Sequence, residues 1–188
     1  MSRKLRVWHP GDIFHITSRG NRHAILFCDD RDRQRYMNFL QESRDRYPFY
    51  LHAYCLMTNH IHLLLETIND PPGNIIKTIH SLYAIYFNKR HNLDGHVFQG
   101  RFKSEHIDSP KYLLEASRYI HLNPVKANMV ETPIEYSWSS YASYVSGVQE
   151  AAVTTQKILS YVPYPRKRNY QRYVEGSVPQ HTNVIKRN

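Results

Sequence analysis

The chain has 188 residues, 41% of them hydrophobic and 22% charged, enough for one domain with a buried core and a short extension. It holds no run of about 18 apolar residues, and its start, Met1-Ser2-Arg3-Lys4-Leu5-Arg6, lacks an apolar stretch; this argues against a membrane span and against secretion, and predicts a cytoplasmic, nucleoid-associated protein. A net charge of +9 with 15 tyrosines favours a polyanion with exposed bases as partner, and the two cysteines, Cys28 and Cys55, form no CxxC pair and read as reduced, buried thiols.

Gly11 to Ser18 alternates apolar and polar residues, with Ile13, His15 and Thr17 set against Phe14 and Ile16, which predicts a strand with mixed faces. Arg19-Gly20-Asn21-Arg22 is a polar turn. Asp29 or Asp30 can cap a helix running to about Tyr47, with Tyr36, Met37, Phe39 and Leu40 as its buried side. Phe49–Thr58 and His60–Thr67 read as adjacent strands joined tightly at Thr58-Asn59. After Pro71-Pro72-Gly73, Asn74 can cap a helix to about His91, with Ile75, Ile79, Leu82, Ile85 and Tyr86 at helical spacing. Asp94-Gly95 is a turn signal, and Val97 to Ile107 is strand-like in part. Ser109-Pro110 starts a helix that turns Leu113, Ala116 and Ile120 inward and ends near Asn123-Pro124. A short helix is expected around Trp138 to Tyr144.

Residues 1–145 are expected to form the main domain, with 146–188 as a basic extension. From residue 145 on, seven Lys/Arg face two acids, a net of +5 and over half the total. Two helices are expected there, at 150–162 and 167–175, separated by Pro163-Tyr164-Pro165, with disorder past Gly176. Four strands with helices between them predict an α+β fold, an antiparallel sheet with helices packed on one face.

His60-Ile61-His62 is the chain's one HxH. On a strand, i and i+2 point to the same face, so the two imidazoles project together, about 7 Å apart at their α-carbons. That is close enough to chelate one ion, although a strand pair of this kind also occurs on plain sheet surfaces. Among the 15 tyrosines, Tyr119 alone has a carboxamide four residues on, Asn123. On a helix those two share a face, although Pro124 disfavours helical geometry at Asn123. Two imidazoles and an amide oxygen suit a hard divalent ion, Mg²⁺ or Mn²⁺, with positions left for water and phosphate. Beside it, Tyr119 could attack phosphorus and form a phosphotyrosine. No base for the tyrosine is evident. In Phe98–Lys103, strand alternation would put Gln99, Arg101 and Lys103 on one side. Arg19, Arg22 and Lys126 are further phosphate candidates, each of which is otherwise a solvated charge.

Ser18-Arg19-Gly20-Asn21-Arg22, Ala53 to Leu64, Phe98 to Lys103, Arg118 to Ala127 and Trp138-Ser139-Ser140-Tyr141 together resemble the blocks of the single-tyrosine HUH transposases. Within them the REP-associated tyrosine transposases are the most similar branch. The resemblance runs in order over about residues 8–145, and it departs from the family at Thr58, where proline is common. It implies a ferredoxin-like fold, His60 and His62 as metal ligands with Asn123 as the third, and Tyr119 as nucleophile. It also implies a single-stranded DNA substrate recognised through a hairpin resembling a REP palindrome. Related insertion-sequence transposases exchange the tyrosine helix between two subunits, whereas this branch implies a monomer.

The leading expectation is therefore a metal-dependent transposase that cleaves and rejoins single-stranded DNA next to a hairpin. A domesticated hairpin-binding protein without turnover and a metal-dependent nuclease using water remain as alternatives. The second would leave no protein–DNA adduct.

Overall fold

The computed structural model of the protein describes residues 8–176. The expected disorder past Gly176 lies outside the described residues. Four strands, β1 (Ile13–Arg19), β2 (Phe49–Leu56), β3 (His60–Thr67) and β4 (Lys103–Ile107), form one sheet in the order β2-β3-β1-β4. Every neighbouring pair is antiparallel. α1 (Asp30–Arg46) follows β1, and α2 (Pro72–His91) lies between β3 and β4. α3 (Pro110–Lys126), α4 (Tyr141–Val145), α5 (Gln156–Ser160) and α6 (Arg166–Glu175) complete the chain. No helix among the described residues is long and apolar enough to cross a membrane.

Strand alternation sorts the core into two layers. Phe14, Ile16, Ile61, Leu63 and Leu65 face one side, where they pack with Tyr36, Phe39 and Leu40 of α1 and Ile75, Ile79 and Tyr83 of α2. Ile13, Leu64 and Ile107 face the other, against Leu113, Ala116 and Ile120 of α3. The α+β fold and the shared face of α1 and α2 agree with the ferredoxin-like expectation. The opposite face carries an added layer of α3 and the C-terminal helices, since Ile158, Val162, Tyr170 and Val174 join the α3 core.

Local chemistry explains the boundaries. Asp29 caps α1 by accepting from the Asp32 N–H at 3.1 Å. Ser109 caps α3 through the Tyr112 N–H at 3.3 Å, with Pro110 in the first turn. α2 starts two residues before the expected Asn74 cap, because Pro72 sits in its first turn and needs no N–H partner there. Its buried face is Ile75, Ile76, Ile79, Tyr83 and Phe87. Leu82 and Ile85, expected inward, are exposed. The buried face is thus rotated toward Tyr83, whose ring packs against Phe27 and Phe98, and Phe87, whose ring packs against Tyr83.

Two other expectations are corrected. α3 does not stop at Asn123-Pro124 but runs through Pro124 to Lys126. Ile120 to Pro124 are all buried, so packing outweighs the single backbone hydrogen bond that proline removes. The 98–102 segment is not a strand: β4 begins at Lys103, and Gly100 has φ +62. The alternation that would align Gln99, Arg101 and Lys103 on one side is therefore absent.

Candidate active site

The polar residues of the sheet lie on the α3 side. From β1 the same alternation that buries Ile13 presents His15, Thr17 and Arg19 to that face. From β3 it presents His60 and His62, and from β4 Lys103 and Glu105. Register aligns them: Thr17 is paired with His62, Arg19 with His60, and Thr17 on its other edge with Lys103. α3 crosses above with Tyr112, Glu115, Ala116 and Tyr119 spaced at three and four residues. Together these residues line a cavity of about 750 Å³.

His60, His62 and Tyr119, separated by up to 59 positions in sequence, meet here. The His60 and His62 rings are 5.1 Å apart and nearly perpendicular at 87°. The Tyr119 ring lies 5.6 Å from His62, edge-on at 84°. Lys126 Nζ stands 4.6 Å from the centre of the Tyr119 ring. Asn123 sits one turn beyond Tyr119, is buried, and donates through Nδ2 to the Tyr119 carbonyl at 2.8 Å. It is not among the residues lining the cavity.

The ring nitrogens show how the site could take an ion. His60 Nδ1 is 2.8 Å from Asn59 Oδ1, which fixes that side of the ring and leaves Nε2. His62 Nδ1 is 2.9 Å from His15 Nε2. His62 Nε2 is buried and has no hydrogen-bond partner among the described residues. An orphaned buried nitrogen costs about 1–3 kcal/mol and fits an atom whose partner is a metal. Burial pushes the His62 pKa down to about 3, aided by His15, His60 and Arg19. Burial, then Arg19, also lowers that of His60. Both rings are held neutral, the form that ligates metal.

The basic residues divide. Arg19 and Lys103 line this cavity. Arg101 lines a second, of about 1150 Å³, with Trp8, Lys77, His80, Phe98 and Phe102. Gln99 is exposed, and its backbone N–H bonds Arg19 O at 2.8 Å. Arg22 is exposed in the loop after β1 at φ +52. His15, Thr17, Glu105, Tyr112 and Glu115 line the site without having been singled out. The i, i+2, i+4 set His15, Thr17 and Arg19 was the available signal, since polar residues alternating on a strand otherwise face solvent.

A second group, Cys28, Asp32 and His91, also has ligand atoms within 4.8 Å of one another. Its chemistry is that of an ion pair. Buried Asp32 accepts from His91 Nε2 at 3.0 Å and the Cys28 N–H at 2.9 Å, and it pairs with the Arg90 guanidinium. Burial and the Asp32 charge raise the Cys28 thiol pKa, away from the thiolate a metal needs.

The family described as "Transposase IS200 like" matches residues 13–123, which hold the whole sheet and both histidine and tyrosine elements. A curated Haemophilus influenzae relative named "Putative REP-associated tyrosine transposase" is 26% identical over 159 residues, 75% of this chain and 86% of its own. A solved REP-associated tyrosine transposase bound to a REP hairpin superposes with a TM-score of 0.66 at 19% identity, covering 82% of this chain and 98% of that one.

Proposed function

The chain belongs to the IS200-like transposase family, and from that premise we propose that it is a REP-associated tyrosine transposase, cleaving and rejoining single-stranded DNA beside a REP-like hairpin. The observation that carries this reading is the meeting of His60, His62 and Tyr119 in one cavity. His60 and His62 would hold a Mg²⁺ or Mn²⁺ ion through Nε2; Asn123, the third ligand that the family resemblance implies, stands one turn along α3 from Tyr119 and outside the cavity lining. When bound, that ion polarises the scissile phosphate and offsets charge on the departing 3′ oxygen.

The protein supplies the nucleophile and its setting. Tyr119 Oη attacks phosphorus, the P–O3′ bond breaks, and the 5′ phosphate becomes a tyrosyl diester. The phenol proton is released as the bond forms and the departing 3′ oxygen takes up a proton, while the Lys126 ammonium stands 4.6 Å from the centre of the Tyr119 ring. Attack by a 3′ hydroxyl on the phosphotyrosine reverses the chemistry and rejoins DNA without an external energy source. Arg19 and Lys103 line the cavity and contact the backbone of the strand being cut. Arg22, Gln99 and Arg101 contact DNA outside it. The relative bound to a REP hairpin supports the hairpin as substrate here. The enzyme acts as a monomer, a reading supported by α3 being packed into a core with α5 and α6 of its own chain.

Cleavage of labelled hairpin oligonucleotides with single-stranded flanks tests this reading. Wild type is expected to cleave with Mn²⁺ and to stop in EDTA, and His62→Ala is expected to lose cleavage while retaining hairpin binding. Undiminished cleavage by His62→Ala would overturn it, and hairpin binding without any cleavage would favour a binding protein.

A further inference from the structure

His15 is a half-buried histidine at the centre of the cavity, and neither nucleophilic attack nor phosphate binding employs it. Strand β1 places it on the α3 face beside β3. Its Nε2 lies 2.9 Å from His62 Nδ1, and the two rings stack at 5.2 Å and 29°. Its ring is also 5.8 Å from Tyr119, at 66°. His15 therefore touches both a candidate ligand and the candidate nucleophile.

We propose that His15 is a positioning residue that fixes His62 as a metal ligand, by accepting the Nδ1 proton of His62 and leaving Nε2 with its lone pair. This rests on the proposed metal role of His62. A neutral imidazole carries one ring proton, and whichever nitrogen holds it cannot ligate. The orphaned atom of His62 is Nε2, so the arrangement makes sense only with the proton on Nδ1 and an acceptor facing it. His15 Nε2 is that acceptor, which puts the proton of His15 on its own Nδ1. Thr17 Oγ1, at 3.4 Å from the same His62 nitrogen, is a longer second acceptor. Metal-bound histidines are commonly held through their other nitrogen, and losing such a partner typically weakens metal binding 10–100-fold. His15 does this for His62, as Asn59 does for His60.

Mn²⁺ titration of the full-length protein without DNA, followed by electron paramagnetic resonance, reads the effect apart from activity. His15→Phe combined with Thr17→Val keeps a ring in the stack and removes both acceptors. It is expected to bind Mn²⁺ about 10–100-fold more weakly than wild type. His15→Gln, whose Oε1 can accept, is expected to recover most of that loss. Ile85→Ala, at an exposed position on α2, serves as the control with wild-type affinity. Long-range ¹H–¹⁵N spectra of the wild type give the His62 tautomer with no variant needed, and protonation at Nδ1 is expected. Wild-type Mn²⁺ affinity in the double variant, or a His62 protonated at Nε2, would overturn the role of His15. If His62→Ala binds Mn²⁺ like wild type, the metal reading fails first and takes this inference with it.

Discussion

Tyr119 is 43% exposed, whereas Tyr36, Tyr83, Tyr141, Tyr144 and Tyr170 are fully buried. A nucleophile must reach its phosphate, and among the tyrosines only this one combines exposure with two histidines in the same cavity. Lys126 places a cation 4.6 Å from the centre of the Tyr119 ring. Lys126→Met is expected to slow single-turnover cleavage about tenfold, equivalent to about 1.4 kcal/mol, with hairpin affinity little changed. An unchanged rate would remove Lys126 from the chemistry. The histidine pair and Tyr119 were legible in the sequence because periods of 2 and 3.6 dictate which residues share a face. The His15 contact was not, because it crosses between strands 47 positions apart, and only the observed register brings it to His62. Gln99, Arg101 and Lys103 were misaligned for a local reason: the chain turns at Gly100 before β4 begins.

At the level of elements, α3 is held from behind. Tyr170 on α6 donates to Ser117 Oγ at 2.9 Å and sits 2.9 Å from His121 Nδ1, both on α3. His121 Nε2 continues to Ser140 Oγ at 2.8 Å, which accepts from the Tyr54 N–H of β2. Tyr170→Phe leaves buried Ser117 and His121 short of a partner and is expected to cost about 1–3 kcal/mol in chemical denaturation. If α6 positions Tyr119 through α3, cleavage should fall as well. A second tie joins α5 to the sheet. Glu66 Oε2 on β3 accepts from His52 Nε2 at 2.7 Å and from Lys157 Nζ at 2.6 Å. Burial alone would raise the Glu66 pKa, but these two hydrogen bonds outweigh it and the net shift is downward. A carboxyl group lowered on folding stabilises above its ordinary range and loses that contribution as pH falls through the folded value. The stability gap between wild type and Glu66→Gln is therefore expected to be wide at pH 7 and to narrow at pH 3, which urea midpoints would show. A gap independent of pH would contradict the tie. The sequence announced α1, β2 and β3 almost to the residue, because caps and alternation are local. It announced neither the extent of α3 nor the bulge at His52, since both depend on packing by residues far along the chain.

For the whole molecule, a net charge of +9 predicts that binding of the proposed hairpin substrate depends steeply on salt. Arg19→Ala and Lys103→Ala are each expected to weaken binding alike across hairpin sequences, and to reduce the log–log salt slope by about one. The C-terminal helices pack against α3 on one side of the sheet; on the proposed monomeric reading, light scattering is expected to give one chain per particle, free and with DNA. The central claim is a covalent step at Tyr119. Wild type incubated with Mn²⁺ and a flanked hairpin oligonucleotide would be denatured, digested and mapped by mass spectrometry. A 5′-phosphorylated DNA fragment joined to the peptide carrying Tyr119 is expected, absent from Tyr119→Phe. Cleaved DNA with a free 5′ phosphate, at the same rate in both proteins, would contradict it and leave water as the nucleophile.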